Sequence, residues 1–134
     1  MSLQQTREQE RARAAWDDVA SAQGKREEYL ALARGAAVDV QVNGLGQTLA
    51  FWKARGDKPH YKSLYDQLSR WVGGQMGASG DLLEWLIAPS TGSDSYRRAT
   101  LEAIAYLVWV KRFAEAKDKD ERQDRQLKAA EKEG

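Results

Sequence analysis

The chain contains no cysteine, one histidine and two prolines in 134 residues. Without cysteine there is no disulfide framework, no thiolate-held metal and no thiol nucleophile. His60 has no second imidazole with which to share a metal or a proton relay. Long apolar runs are missing as well. The longest, Ala103 to Val110, falls far short of the ~20 residues a membrane span needs. An excess of one charge is also absent, with Lys and Arg at 21, Asp and Glu at 20, and a net charge of +1. A protein that coats polyanions over its whole surface would be far more basic, so any nucleic-acid contact must come from a local patch. Residues 1–15 are charged and lack an apolar stretch, which speaks against a signal peptide, and the expected location is the cytoplasm.

What is present is helical periodicity. The length suits one domain and one core. Apolar content of 42% beside 31% charged residues is the profile of a folded, well-charged helical protein. From about Ser2 to Ala22, the residues Ala12, Ala15, Trp16, Val19 and Ala20 recur at helical spacing. Gly24 breaks that segment, and a short helix with Tyr29, Leu30 and Ala33 is expected to end at Gly35. The next stretch supports two readings. Val38, Val40 and Val42 alternate before Asn43-Gly44, which is a strand-and-hairpin signal. Yet Val38, Val42, Leu45, Leu49 and Trp52 are spaced as one helix face, and no second strand exists to satisfy an isolated one. The helical reading explains more residues.

Asp57 is positioned to cap a helix with Pro59 in its first turn and an apolar stripe of Tyr61, Leu64, Tyr65, Leu68, Trp71 and Val72. Gly73 to Gly80 reads as a flexible loop. Asp81 to Ala88 is a short apolar helix stopped by Pro89, and Ser93 or Asp94 is placed to cap the last long helix. That helix is apolar on most sides from Ala99 to Phe113, as a central, surrounded helix should be. The expectation is an all-α, single-domain bundle of five or six helices over residues 1–116. A charged tail, 117–134, would follow as a fraying helix.

No constellation supports catalysis. His60, beside Pro59, reads as a surface residue. Glu8, Glu10, Asp17 and Asp18 are interleaved with arginine, which reads as a solvated helix face rather than a metal site. Gly44-Leu45-Gly46 lacks the third glycine and the phosphate lysine of a nucleotide loop. No metal and no cofactor are expected.

Three features remain. Gly44 and Gly46 fall inside a predicted helix, where each costs about 1 kcal/mol relative to alanine. They mark either a close crossing within the domain or a surface approached by another chain. Of five tryptophans, Trp16, Trp52, Trp71 and Trp109 lie on apolar stripes and are expected in the core. Trp85, between Glu84 and Leu86, is expected half exposed at a partner interface. Residues 53–70 hold Lys53, Arg55, Lys58, Lys62 and Arg70 against Asp57 and Asp66, a local excess of +3. Arg97 with Arg98, and Lys111 with Arg112, are further basic pairs. These nine are the candidate phosphate contacts, against the plainer reading of an ordinary solvated surface.

Two blocks carry a family resemblance. Asn43-Gly44-Leu45-Gly46-Gln47-Thr48-Leu49-Ala50-Phe51 resembles a signature of the small subunit of the type III-B CRISPR Cmr complex. The run from Tyr96 to Ala103, followed by that from Trp109 to Ala116, resembles a second signature in the same order and separation. The resemblance spans residues 3–116 and leaves out the charged tail. It implies a non-catalytic helical subunit of an RNA-silencing ribonucleoprotein in antiviral defence. Further copies of itself, the repeated backbone subunits, the large polymerase-like subunit, guide RNA and target RNA would be its partners. The competing reading is a purely structural adaptor that touches no RNA. No membrane partner is expected.

Overall fold

The computed structural model describes residues 4–133, which form six helices: α1 (Arg7–Ser21), α2 (Arg26–Asn43), α3 (Leu45–Ala54), α4 (Pro59–Met76), α5 (Leu82–Ile87) and α6 (Ser93–Glu133). No strand occurs among the described residues, so the helical reading of 38–42 holds. Helix α6 is the spine, packed against α1, α2 and α4. Its Ala99, Ala103, Tyr106, Leu107, Val110 and Ala114 meet Ala15, Leu30, Ala33, Val40, Leu64 and Leu68 in one apolar core. The fully buried Trp52 of α3 is the largest side chain in it.

Several boundaries differ from expectation. The start expected near Ser2 lies outside the described residues. Helix α1 begins at Arg7 because Thr6 and Gln9 form a reciprocal cap, each side chain accepting the other's backbone N–H at 3.1 and 2.9 Å. Helix α2 does not end at Gly35. Burial of Ala33, Ala36 and Val40 outweighs the small penalty of a helical glycine. Helix α4 likewise runs through Gly73 and Gly74 to Met76, leaving a shorter loop than predicted. Its N-cap is Lys58, not Asp57, although Pro59 does occupy the first turn. The charged stretch from Lys117 continues α6 without a break to Glu133, and Arg26 and Arg34 of α2 pair with Glu121 and Glu115 along it.

The apolar spacing from Val38 to Trp52 does not form one face. Gly44 adopts φ +90°, a conformation that favours glycine, and turns the chain between α2 and α3. Leu45, Leu49 and Trp52 are therefore buried, while Val38 and Val42 remain 55% and 74% exposed. Among the expected core tryptophans only Trp52 is fully buried, and Trp16 is 52% exposed. Trp71 and Trp109 stop at the boundary, where their indole N–H groups donate to Glu102 and Glu8 at 3.0 and 2.8 Å.

Candidate nucleic-acid interface

The turn from α3 into α4 gathers four of the predicted cations. Lys53 lies in the last turn of α3, Arg55 is its C-cap, Lys58 is the N-cap of α4 and Lys62 lies in its first turn. Lys53 and Lys62 line one open cavity of about 280 Å³ with Gly56 and Tyr65. The Arg55 guanidinium lies 3.5 Å over the Phe51 ring, whose other neighbour is the edge of Tyr61, and Phe51 is half exposed. Arg55 and Lys58 have no carboxylate partner among the described residues. Lys53 reaches Asp81 only at 3.7 Å, and Lys62 holds Asp66 at 2.9 Å across an exposed helix face. Such exposed pairs contribute about 0–1 kcal/mol, so a phosphate can displace them. The corner is a basic surface interleaved with aromatic rings, the chemistry that suits a nucleic-acid backbone.

Arg70 belongs to a different arrangement. Its guanidinium donates to Asp18 Oδ1 at 2.5 Å, although the arginine itself is largely exposed. Asp18 was expected on a solvated face but is buried, because positions 15, 18 and 19 share the inner side of α1. Its other carboxylate oxygen accepts from the Tyr106 hydroxyl, and its backbone carbonyl accepts from Gln67 at 2.8 Å. Gln67 in turn accepts from Tyr29 at 2.8 Å. Burial raises the Asp18 carboxyl above the usual range against the opposing pull of Tyr106 and Arg70. Burial also raises the Tyr29 and Tyr106 phenols, with the Asp18 charge adding to it, so both remain neutral donors.

A second buried carboxylate, Glu102, accepts two hydrogen bonds from Arg11, one of them at 2.9 Å, and a third from Trp71 at 3.0 Å. Burial pushes its pKa up, but the bonds from Arg11 and Trp71 more than offset this, and it ends below the ordinary glutamate range. The same pairing raises Arg11 despite its partial burial. These groups close the α1–α4–α6 core, and sequence reasoning did not find them. The one available signal was that Asp18 and Glu102 interrupt otherwise apolar helix faces.

The remaining predicted cations are dispersed along α6. Arg97 and Arg98 are exposed in its first turns, and Arg97 lies 3.5 Å from Asp94. Arg98 opens on a cavity shared with Arg7 and Gln75. Lys111 and Arg112 follow fourteen positions later, roughly 21 Å along the axis at 1.5 Å per residue. The fold does not gather them with the α3–α4 corner. Of the predicted interface residues, Gly46 is accounted for internally. Its N–H donates to the Tyr96 hydroxyl at 2.9 Å, and a Cβ there would lie 2.8 Å from that oxygen. Trp85 is half-buried on α5, beside Ile87, which is 71% exposed.

His60 is not the surface residue that its neighbour Pro59 suggested. The turn at Gly24 covers the start of α4 and buries the imidazole against Tyr61. Its Nδ1 lies 3.0 Å from a Glu28 carboxylate oxygen without making a hydrogen bond to it. No group of His, Cys, Asp and Glu suited to a metal occurs among the described residues. No helix among them is long and apolar enough to cross a membrane.

Residues 7–117 match a protein family described as CRISPR-associated protein (Cas_Cmr5). Among solved structures, a CRISPR-associated Cmr5 family protein from Thermus thermophilus is similar at 34% identity. The match covers 84% of this chain and 97% of that one, with a TM-score of 0.67. No curated protein matches the chain.

Proposed function

Because the chain belongs to the Cmr5 family of CRISPR-associated proteins, the small subunits of type III-B Cmr complexes, we propose that it is a non-catalytic subunit whose α3–α4 corner lies against RNA. The observation that carries this reading is the convergence of Lys53, Arg55, Lys58 and Lys62 on one corner with Phe51 and Tyr61. Cations of this kind neutralise phosphates without reading sequence, which suits a channel whose specificity comes from guide–target pairing. Arg97, Arg98, Lys111 and Arg112 would add contacts along α6, and Arg70 contributes least because Asp18 holds it. The work of cutting RNA falls to other subunits, since this chain offers no nucleophile–base pair and no metal-ligand cluster among its described residues.

Contacts with backbone subunits, the large subunit and further copies of this chain would use exposed apolar side chains. Trp85 and Ile87 on α5 and the outward Leu101 and Val108 of α6 are the surfaces that favour it. These same residues support the second reading, an adaptor that touches only protein. Complex assembled with Lys53, Arg55, Lys58 and Lys62 all changed to Ala separates the two. Weaker retention of guide and target RNA, with a shallower salt dependence, supports the RNA face. Retention and salt slope equal to wild type would leave the adaptor.

A further inference from the structure

Beside the basic corner lies a second opening of different chemistry. It is about 330 Å³, bounded by Asp39, Asn43, Gln47 and Phe51, with Thr48 and Trp52 as its floor. That volume is at the low end of ligand sites, roughly 300–1,000 Å³. The turn at Gly44 brings Asp39 and Asn43 of α2 to the same opening as Gln47 and Phe51 of α3. The side chains of Asp39, Asn43 and Gln47 are exposed and make no hydrogen bond among the described residues. The Phe51 ring closes one side of the opening, and the Arg55 guanidinium, outside the lining, lies 3.5 Å over that ring.

A phosphate fits this opening poorly, because Asp39 would repel it and the amides carry no charge. A nucleobase fits it well. Carboxamides offer a donor and an acceptor side by side, as the Watson–Crick edge of a base does, and an exposed aromatic ring is a platform for a flat ring. Asp39 accepts hydrogen bonds only, so it pairs with a donor on the base edge, an exocyclic amino group or a ring N–H, and a purine gains over uracil through its larger stacking surface. We propose that this opening holds one unstacked RNA base, set against the half-exposed Phe51 ring with its polar edge toward Asn43, Gln47 and Asp39. The inference rests on the RNA-facing reading of the adjacent corner, where Lys53 and Lys62 take the neighbouring phosphates.

The test uses the full chain and fluorescence anisotropy with three single-stranded RNA 12-mers of equal length. One carries adenines, one uracils, and one abasic sites in place of every base. The adenine strand should bind about fivefold or more tighter than the abasic strand, the lower end of what stacking on an aromatic supplies. The uracil strand should fall between them. Asn43→Ala with Gln47→Ala should reduce the adenine affinity toward the abasic value while leaving abasic binding and helicity unchanged, and Phe51→Leu should lower the adenine affinity by a larger factor than the abasic one. The quadruple change of Lys53, Arg55, Lys58 and Lys62 to Ala should weaken all three strands. Equal binding of the adenine and abasic strands by wild type would overturn the base site and leave the phosphate-facing corner standing. No binding of any strand would overturn both. Adenosine monophosphate that displaces the adenine strand at equimolar nucleotide would overturn RNA as the source of the base, in favour of a free nucleotide.

Discussion

Two groups of charged residues lie on opposite ends of α4, and they use their charge differently. At the inner end, Asp18, Glu102, Arg11 and Arg70 hold one another across α1, α4 and α6. At the outer end, Lys58 and Arg55 have no carboxylate partner among the described residues, Lys62 has the exposed Asp66, and Lys53 only approaches the part-buried Asp81 at 3.7 Å. Inside, the burial of Asp18, Glu102 and Arg11 makes their partners hard to replace, even where one of them, Arg70, itself reaches out to water. Outside, water makes the same kind of charge nearly free to exchange its partner. Arginine content alone does not distinguish the two, because Arg70 and Arg55 read alike in sequence.

The comparison breaks most visibly at Glu102. Changing it to Ala leaves the part-buried Arg11 with only the exposed Glu8 and removes the partner of the Trp71 indole, and thermal unfolding should show a loss of about 3 kcal/mol, the lower end for breaking a buried pair. The milder Glu102→Gln has a pH signature. Because Glu102 titrates below its ordinary value, its carboxylate contributes stability above the unfolded value of roughly 4.3, and that contribution is lost as pH falls through the folded value. Wild type should therefore exceed Glu102→Gln at neutral pH and converge with it in strong acid, as chemical denaturation across pH would show. Asp18 has the opposite sign: its raised value favours the fold at low pH, and this advantage is lost as pH rises through it.

Arg70→Ala should cost about 1.5 kcal/mol, the lower end for a hydrogen bond to a charged group. It should leave RNA retention by the complex nearly unchanged. The four-residue change at the outer corner should show the reverse. Its stability loss should stay within about 0.5 kcal/mol at each of the exposed Lys53, Lys58 and Lys62, and reach about 0.5–1 kcal/mol, that of an exposed cation–π contact, at the half-buried Arg55, while RNA retention falls. A stability loss as large as that of Arg70→Ala at any single corner position would erase the distinction between the two ends.

Much of the fold was legible because the long stripes of α4 and α6 are strongly periodic. Leu64, Leu68 and Val72, and then Ala99, Ala103, Tyr106 and Val110, are buried as their spacing required. Glycine misled the reading twice. At Gly35 and Gly73 tertiary burial outweighed a local preference, whereas at Gly44 the glycine does turn the chain, and the apolar spacing that bridged it was split between two helices. The cations of the outer corner could be seen as a cluster within ten residues. The fate of Arg70 could not, because Asp18 stands 52 positions away and nothing local announces the pair. His60 was hidden for the same reason, its cover coming from the turn at Gly24.

Helix α6 carries one further consequence, in the timing of its amide exchange. Its first half is wrapped by α1, α2 and α4, and its last buried residue is Asp118. Beyond that point only exposed pairs such as Lys128 with Asp124 support it. One unbroken helix thus spans two stability classes. Deuterium should enter the amides near Tyr106 only when the whole domain unfolds, while those beyond Glu121 exchange by local fraying many times faster. The boundary between slow and fast amides should lie near Asp118 and Glu121, where Arg26 makes the last tie to α2.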